Sequence, residues 1–153
     1  MADQRQQILD IYTDGSCLGN PGCGGWAAIL VYNGHEKVLS GAESMTTNNR
    51  MELQAVIEGL AAVKRPVPIR VFSDSAYVIS AFNQHWIDAW KRKQWKNSLN
   101  KPVANQDLWQ RLDTLVSSLD VSFHKVKGHS GHAYNERCDQ LAVEESKRRQ
   151  ANL

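Results

Sequence analysis

The apolar positions of this chain fall first into short runs and then into a helical period. Residues 8–14 alternate in part, and 26–32 form a strongly apolar run suited to a central strand. Asn33-Gly34 is a hairpin signal, and 37–42 supply the returning strand. Between the first two runs, 15–25 hold five glycines with Asn20 and Pro21, which predicts a turn-rich loop. Leu53, Val56, Ile57, Leu60 and Val63 then mark one face of a helix that Thr47 or Asn49 can cap and that Pro66 and Pro68 end. A strand at 67–72 follows. Strand, crossover helix and strand make a β-α-β unit, so this strand is expected to run parallel to the first. Helices are predicted at 75–82, 86–90, 105–119 and 135–149, with a last strand at 121–126 and a glycine- and histidine-rich loop at 127–134. The end of the terminal helix, 147–150, reads as frayed and solvent-facing.

This order sets two acids at the carboxyl ends of neighbouring parallel strands, where ligands bind in open α/β sheets. Asp14 closes the first run and Asp74 the run after the crossover. Each has an ordinary alternative: Asp14-Gly15 is a turn dipeptide, and Asp74 can cap a helix at Ser75. Glu52 can complete a capping box from Asn49, and Asp139 can be a plain first-turn acid. Taken together, four carboxylates suit a hard cation such as Mg²⁺, or two ions with Asp14 as the shared ligand. That chemistry points to metal-dependent phosphoryl transfer. His129, between Gly128 and Gly131, can carry protons near neutral pH, whereas His132 reads as a surface residue and His124 as structural. The histidine and cysteine spacings do not make a zinc site.

The 153 residues fit one domain, 1–153, and 42% hydrophobic content fits a soluble globular protein. A formal net charge of +2 does not by itself imply a nucleic-acid partner. The distribution says more: Lys91, Arg92, Lys93, Lys96 and Lys101 lie within eleven residues that contain no acid. Trp86, Trp90, Trp95 and Trp109 gather around them. This is either a solvated helix or a surface that grips a sugar-phosphate backbone, with most of the tryptophans packing it together. Cys17, Cys23 and Cys138 are an odd set, read as reduced thiols of a cytoplasmic protein, with a Cys17–Cys23 disulfide as the lesser alternative. The N-terminus carries no apolar signal core, and no apolar stretch approaches membrane-spanning length.

Several motifs stand in one order: Tyr-Thr-Asp14-Gly-Ser-Cys-Leu-Gly-Asn-Pro-Gly, Thr-Thr-Asn-Asn-Arg-Met-Glu52-Leu, Ser-Asp74-Ser, and Lys-Gly-His129-Ser-Gly-His followed by Asn-Glu-Arg-Cys-Asp139. Over nearly the whole chain this ensemble closely resembles bacterial type 1 ribonuclease H. The resemblance implies a ribonuclease H-like α/β fold, a five-stranded mixed sheet with helices packed on both faces. It implies hydrolysis of the RNA strand of RNA–DNA hybrids with Mg²⁺ or Mn²⁺, two ions with substrate bound, and 5′-phosphate and 3′-hydroxyl products. By residue, it assigns metal binding to Asp14, Glu52, Asp74 and Asp139, and proton transfer or product departure to His129. It assigns substrate contacts to Cys17, Asn20, Asn48 and Asn49, and a DNA phosphate contact to Thr47. The segment 86–101 resembles the family's basic protrusion, which puts Trp86, Lys91, Arg92, Lys93, Trp95 and Lys96 against the hybrid. A monomer with no membrane association and no specified protein partner is expected. Two positions depart from the pattern: Ala76 stands where a glutamine is frequent, removing one contact to RNA, and Cys23 stands where a proline is frequent. The rival readings are another nuclease on the same fold and a basic nucleic-acid-binding module without catalysis.

Overall fold

The computed structural model of the chain describes residues 7–127 and 133–153. His129 and His132 therefore lie outside the described residues. Along β1 (Leu9–Cys17), Leu9, Ile11 and Thr13 are buried on one face, and Asp10, Tyr12 and Asp14 take the other. β1 pairs antiparallel with β2 (Gly22–Tyr32), and β2 with β3 (His35–Thr46). The chain then forms α1 (Asn48–Ala61) and returns as β4 (Ile69–Ser73), parallel to β1 on its other side. Next come α2 (Ala76–Asn83), α3 (Trp86–Arg92) and α4 (Gln106–Ser117). They lead to β5 (Val121–Lys125), parallel to β4, and then to α5 (Ala133–Ala151). The sheet order is β3-β2-β1-β4-β5, the expected five-stranded mixed sheet.

Helices cover both faces, which is why 26–32 is apolar without alternation. Ala28 and Leu30 of β2 join Ile11, Val71 and the buried faces of α1, α2 and α4 in the main core. Ala27 and Ile29 point the other way, onto Cys138 and Ala142 of α5. α5 runs as helix to Ala151, past the segment expected to fray, although its last turns are exposed. Among the described residues, no helix is long and apolar enough to cross a membrane.

The expected turn-rich loop over 15–25 is corrected. Gly15, Ser16 and Cys17 are strand, paired with Trp26, Gly25 and Gly24, and only 18–21 connect the strands. Glycine here marks close approach, not a turn. A Cβ on Gly25 would lie 2.2 Å from the Ala142 carbonyl oxygen, so its absence lets α5 rest on β2. The three cysteines are free thiols, and the Cys17–Cys23 disulfide does not form.

The tryptophans form a chain outward from the core. Trp109 is fully buried, and its indole N–H donates to the Tyr77 hydroxyl at 2.8 Å. Trp90 meets it edge-on at 5.3 Å between ring centroids, and Trp86 and Trp95 flank Trp90 at 6.3 and 6.2 Å. Trp95 also binds the chain on either side, its N–H donating to the Trp90 carbonyl and its own carbonyl accepting from Val103. This packing fastens α3 and the basic segment to the body and leaves Arg92, Lys93 and Lys96 exposed.

Candidate active site

The β-α-β arrangement sets the first two carboxylates. Parallel pairing of β1 with β4 ends at Tyr12 and Phe72, and two residues further along lie Asp14 and Asp74. Asp14 continues within a strand, held by β2, and is only 7% exposed; Asp74 lies just past the end of β4 and is exposed. Capping, the ordinary alternative for Asp74, is performed by Ser75, whose hydroxyl accepts from the Val78 N–H.

Glu52 arrives from α1 because of Gly15. A Cβ on Gly15 would lie 2.4 Å from the Glu52 nitrogen and 2.5 Å from the Met51 carbonyl carbon. Only a residue without a side chain lets α1 approach β1 this closely. Thr47, not Asn49, caps α1, its hydroxyl accepting from the Arg50 N–H at 3.2 Å, so Glu52 is not part of a capping box. The Gly15 N–H is shared instead: it donates to Asp14 Oδ1 at 2.9 Å and to Glu52 Oε1 at 3.1 Å. One carboxylate oxygen from each of Asp14, Glu52 and Asp74 falls within 4.8 Å of the others. Asp139 is exposed on α5, outside that group of three, but near enough for its charge to act on Asp14.

Burial is the dominant electrostatic fact. It pushes the Asp14 carboxyl from 3.8 up to about 7, and the charge of Asp74 pushes the same way. Burial likewise raises Glu52 well above the usual range, with the Asp14 charge as the next cause. Glu52 Oε2 is buried with no hydrogen-bond partner among the described residues. A buried carboxylate oxygen without a donor, beside two further carboxylates, fits a hard divalent cation by its donor chemistry.

The expected substrate residues of the first loop and the start of α1 come together. The Asn48 N–H donates to Asn20 Oδ1 at 3.2 Å, and Thr47 and Asn49 flank that contact in sequence. The Cys17 thiol points at three backbone carbonyls, those of Gly19 at 2.6 Å, Gly22 at 3.5 Å and Thr46 at 3.4 Å. Burial raises its pKa. In the protrusion Lys91, Arg92, Lys93 and Lys96 are all exposed, and Lys91 pairs with Asp113 of α4 at 3.2 Å. Trp86 and Trp95 are half-buried against the core. Sequence reasoning missed Gly15 as a structural requirement of the site; the signal was present, but Asp-Gly reads first as a turn.

Comparison with known proteins agrees with this geometry. A family model for RNase H matches residues 6–147. A ribonuclease H of Caldanaerobacter subterraneus subsp. tengcongensis is 53% identical over 142 residues, covering 93% of this chain and 93% of that protein. A ribonuclease H of Oleidesulfovibrio alaskensis is 55% identical over 134 residues, covering 88% and 87%. The crystal structure of LC9-RNase H1, a type 1 RNase H with the type 2 active-site motif, superposes with a TM-score of 0.82 at 30% identity, over 97% of this chain and 76% of that one. LC11-RNase H1 in complex with an RNA/DNA hybrid is alike in fold, with a TM-score of 0.68 at 20% identity over 92% and 97% of the two chains.

Proposed function

The chain belongs to the RNase H family, and from that premise we propose how its own residues carry out the family's reaction, endonucleolytic cleavage of RNA in an RNA–DNA hybrid. The observation that carries the proposal is the convergence of Asp14, Glu52 and Asp74 within 4.8 Å around a buried, partnerless Glu52 oxygen. These three, with Asp139 at the rim, would hold the divalent cations. When bound, Mg²⁺, or Mn²⁺ in its place, supplies charge to the scissile phosphate and a water acidic enough to attack it, with two ions dividing those tasks.

Asp14 is the central ligand of this reading, since it shares the Gly15 N–H with Glu52 and lies beside Asp74. That shared donor fixes both carboxylates before any cation arrives. Protonation of Asp14, raised to about 7, and of Glu52, raised as well by burial, competes with metal binding, which couples affinity to pH. His129 carries protons or assists product departure, and the products bear 5′-phosphate and 3′-hydroxyl ends. Asn20, Asn48 and Asn49, with Cys17 beside them, present amides to the shallow minor groove, where 2′-hydroxyls distinguish RNA. Thr47 contacts DNA phosphate. Strand identity and duplex shape, with little base readout, then set specificity. The protein acts as a cytoplasmic monomer; its free thiols fit a reducing compartment.

A strand-labelled RNA–DNA hybrid, compared with RNA–RNA, DNA–DNA and single-stranded RNA, tests this reading. We expect cuts confined to the RNA of the hybrid and dependent on Mg²⁺ or Mn²⁺. Equal cutting of another duplex would favour a different nuclease on the same fold. Tight hybrid binding without cleavage under either metal would favour a binding module.

The protrusion should act through charge. Replacing Arg92, Lys93 and Lys96 together by alanine should weaken hybrid binding at least about tenfold and flatten its salt dependence by about 0.7–0.9 in log–log slope for each phosphate no longer neutralised. The rate at saturating hybrid should change little. Lys91→Ala should do less than any of the three, because Asp113 already offsets that charge. Binding isotherms across a salt series measure both effects; an unchanged slope in the triple variant would remove the protrusion from the interface.

A further inference from the structure

Asn135 is not one of the carboxylates or substrate residues of the site, yet its surroundings connect it to three of the four carboxylates. It lies in the first turn of α5, and its Nδ2 donates to the Phe72 carbonyl at 3.4 Å. The Thr13 hydroxyl donates to that same carbonyl, also at 3.4 Å. Thr13 directly precedes Asp14, Phe72 stands two residues before Asp74, and Asn135 stands four residues before Asp139. Residues four apart share a helix face, so a tether at Asn135 sets where Asp139 is presented. One backbone oxygen thus gathers side chains from β1 and α5 immediately behind the carboxylates those elements carry.

The other end of the amide is harder to explain by stability. Asn135 Oδ1 is buried and has no hydrogen-bond partner among the described residues. An unmet buried acceptor opposes folding, and a single long bond from Nδ2 is a weak offset. Other contacts keep α5 folded on the sheet, so losing the Asn135 bond would shift the first turn without unseating the helix. Tyr134 stacks on Tyr12 at 4.7 Å, and the Cys138 thiol donates to the Tyr12 carbonyl at 3.2 Å. Cys138 and Ala142 are fully buried against β2.

We infer that Asn135 is a positioning residue, which holds Asp139 in place beside Asp14 and Asp74 by tethering the first turn of α5 to the Phe72 carbonyl. The inference rests on the proposed function in one respect, that Asp139 helps to hold a cation. Positioning groups behind metal ligands typically affect affinity by about 10–100-fold when removed, and the long bond here favours the lower end.

The test uses Mg²⁺ binding by calorimetry, together with steady-state hybrid cleavage and thermal melts, on Asn135→Ala, Asp139→Asn and the double variant. Asn135→Ala should weaken Mg²⁺ about tenfold and lower kcat, with KM and Tm near those of the unaltered protein. On the Asp139→Asn background, the same change should alter Mg²⁺ affinity less than about twofold, because its effect passes through Asp139. Asn135→Asp keeps the side chain's size but sets an oxygen against the Phe72 carbonyl. It should reproduce the loss of affinity, and it stands in if the alanine variant fails to fold. Unaltered Mg²⁺ affinity in Asn135→Ala would overturn the inference, as would an undiminished further loss on the Asp139→Asn background. A fall in Tm and a rise in KM that together account for the whole effect would overturn it too. An unaltered protein that cuts no hybrid would instead sink the functional reading and leave the calorimetric comparison interpretable.

Discussion

Asp14→Asn should abolish hybrid cleavage and, at the same time, make the metal-free protein more stable above neutral pH. The activity loss should reach about three orders of magnitude or more, because the variant lacks the carboxylate proposed as the ligand common to both ions. The stability gain follows from the sign of the pKa change. Asp14 is raised in the folded protein from 3.8 to about 7, so folding favours its protonated form. Its contribution is complete below about pH 4 and is lost as pH rises through about 7. A tenfold change in proton affinity is worth about 1.4 kcal/mol, so the penalty at pH 8 is on the order of a few kcal/mol. Glu52 is raised as well and adds to the same slope. Asparagine keeps the size of Asp14 and cannot ionise. The metal-free variant should therefore melt above the unaltered protein at pH 8, with little difference between them at pH 4. Mg²⁺ at a hundred times its Kd should restore about 2.7 kcal/mol to the unaltered protein and much less to the variant. Melting curves at pH 4, 6 and 8, with and without Mg²⁺, provide the check. A variant no more stable than the unaltered protein at pH 8 would mean that the cluster is not electrostatically strained.

The carboxylates were legible in the sequence to different depths, for physical reasons. Asp14 and Asp74 follow from local pattern: two apolar runs, a helical period between them, and the rule that such a crossover makes the strands parallel. Nothing local places Glu52 beside them. Its position depends on how closely a helix approaches a strand, which is set by a missing side chain at Gly15 and by the cores that hold α1 and β1 together. The cap was ambiguous for a related reason. Thr47 and Asn49 both carry suitable oxygens, and the choice between them shifts the start of the helix by half a turn. The glycine-rich stretch was misread because glycine serves two ends, left-handed backbone in turns and close approach in strands, and composition alone does not separate them. At Gly34 the first use is real, with φ of +79° in the expected hairpin; at Gly15 and Gly25 the second is. The tryptophans were legible as packing groups, since large rings beside a basic segment need a core to stand on, and Trp109 provides it.

Gly15→Ala should destroy activity by displacing Glu52, with the chemistry of every carboxylate intact. The added Cβ meets the Glu52 nitrogen at 2.4 Å, the Met51 carbonyl carbon at 2.5 Å and Met51 Cβ at 2.9 Å. Two of these are backbone atoms of α1, so no rotamer change relieves the clash. The helix must lift or the strand must bend. α1 cannot lift freely, because Leu53, Val56, Ile57 and Leu60 are buried in the main core. Nor can β1 bend freely, since Gly15 is paired with Trp26 in the middle of a sheet. Overpacking of this kind costs about 1–3 kcal/mol and more where the backbone is involved, so we expect a loss of at least about 3 kcal/mol. A shift of about 1 Å in α1 also moves Glu52 away from Asp14 and disturbs the N–H they share, and a misplacement on that scale costs about a hundredfold in rate. The two effects separate when activity is assayed well below the variant's melting temperature. Gly34→Ala is the control: its Cβ would meet open space, so the cost is the strain of positive φ alone, about 1–2 kcal/mol, with the rate unchanged. If Gly15→Ala instead melts and cleaves like the unaltered protein, close approach of α1 is not what seats Glu52, and the shared N–H is incidental to the site.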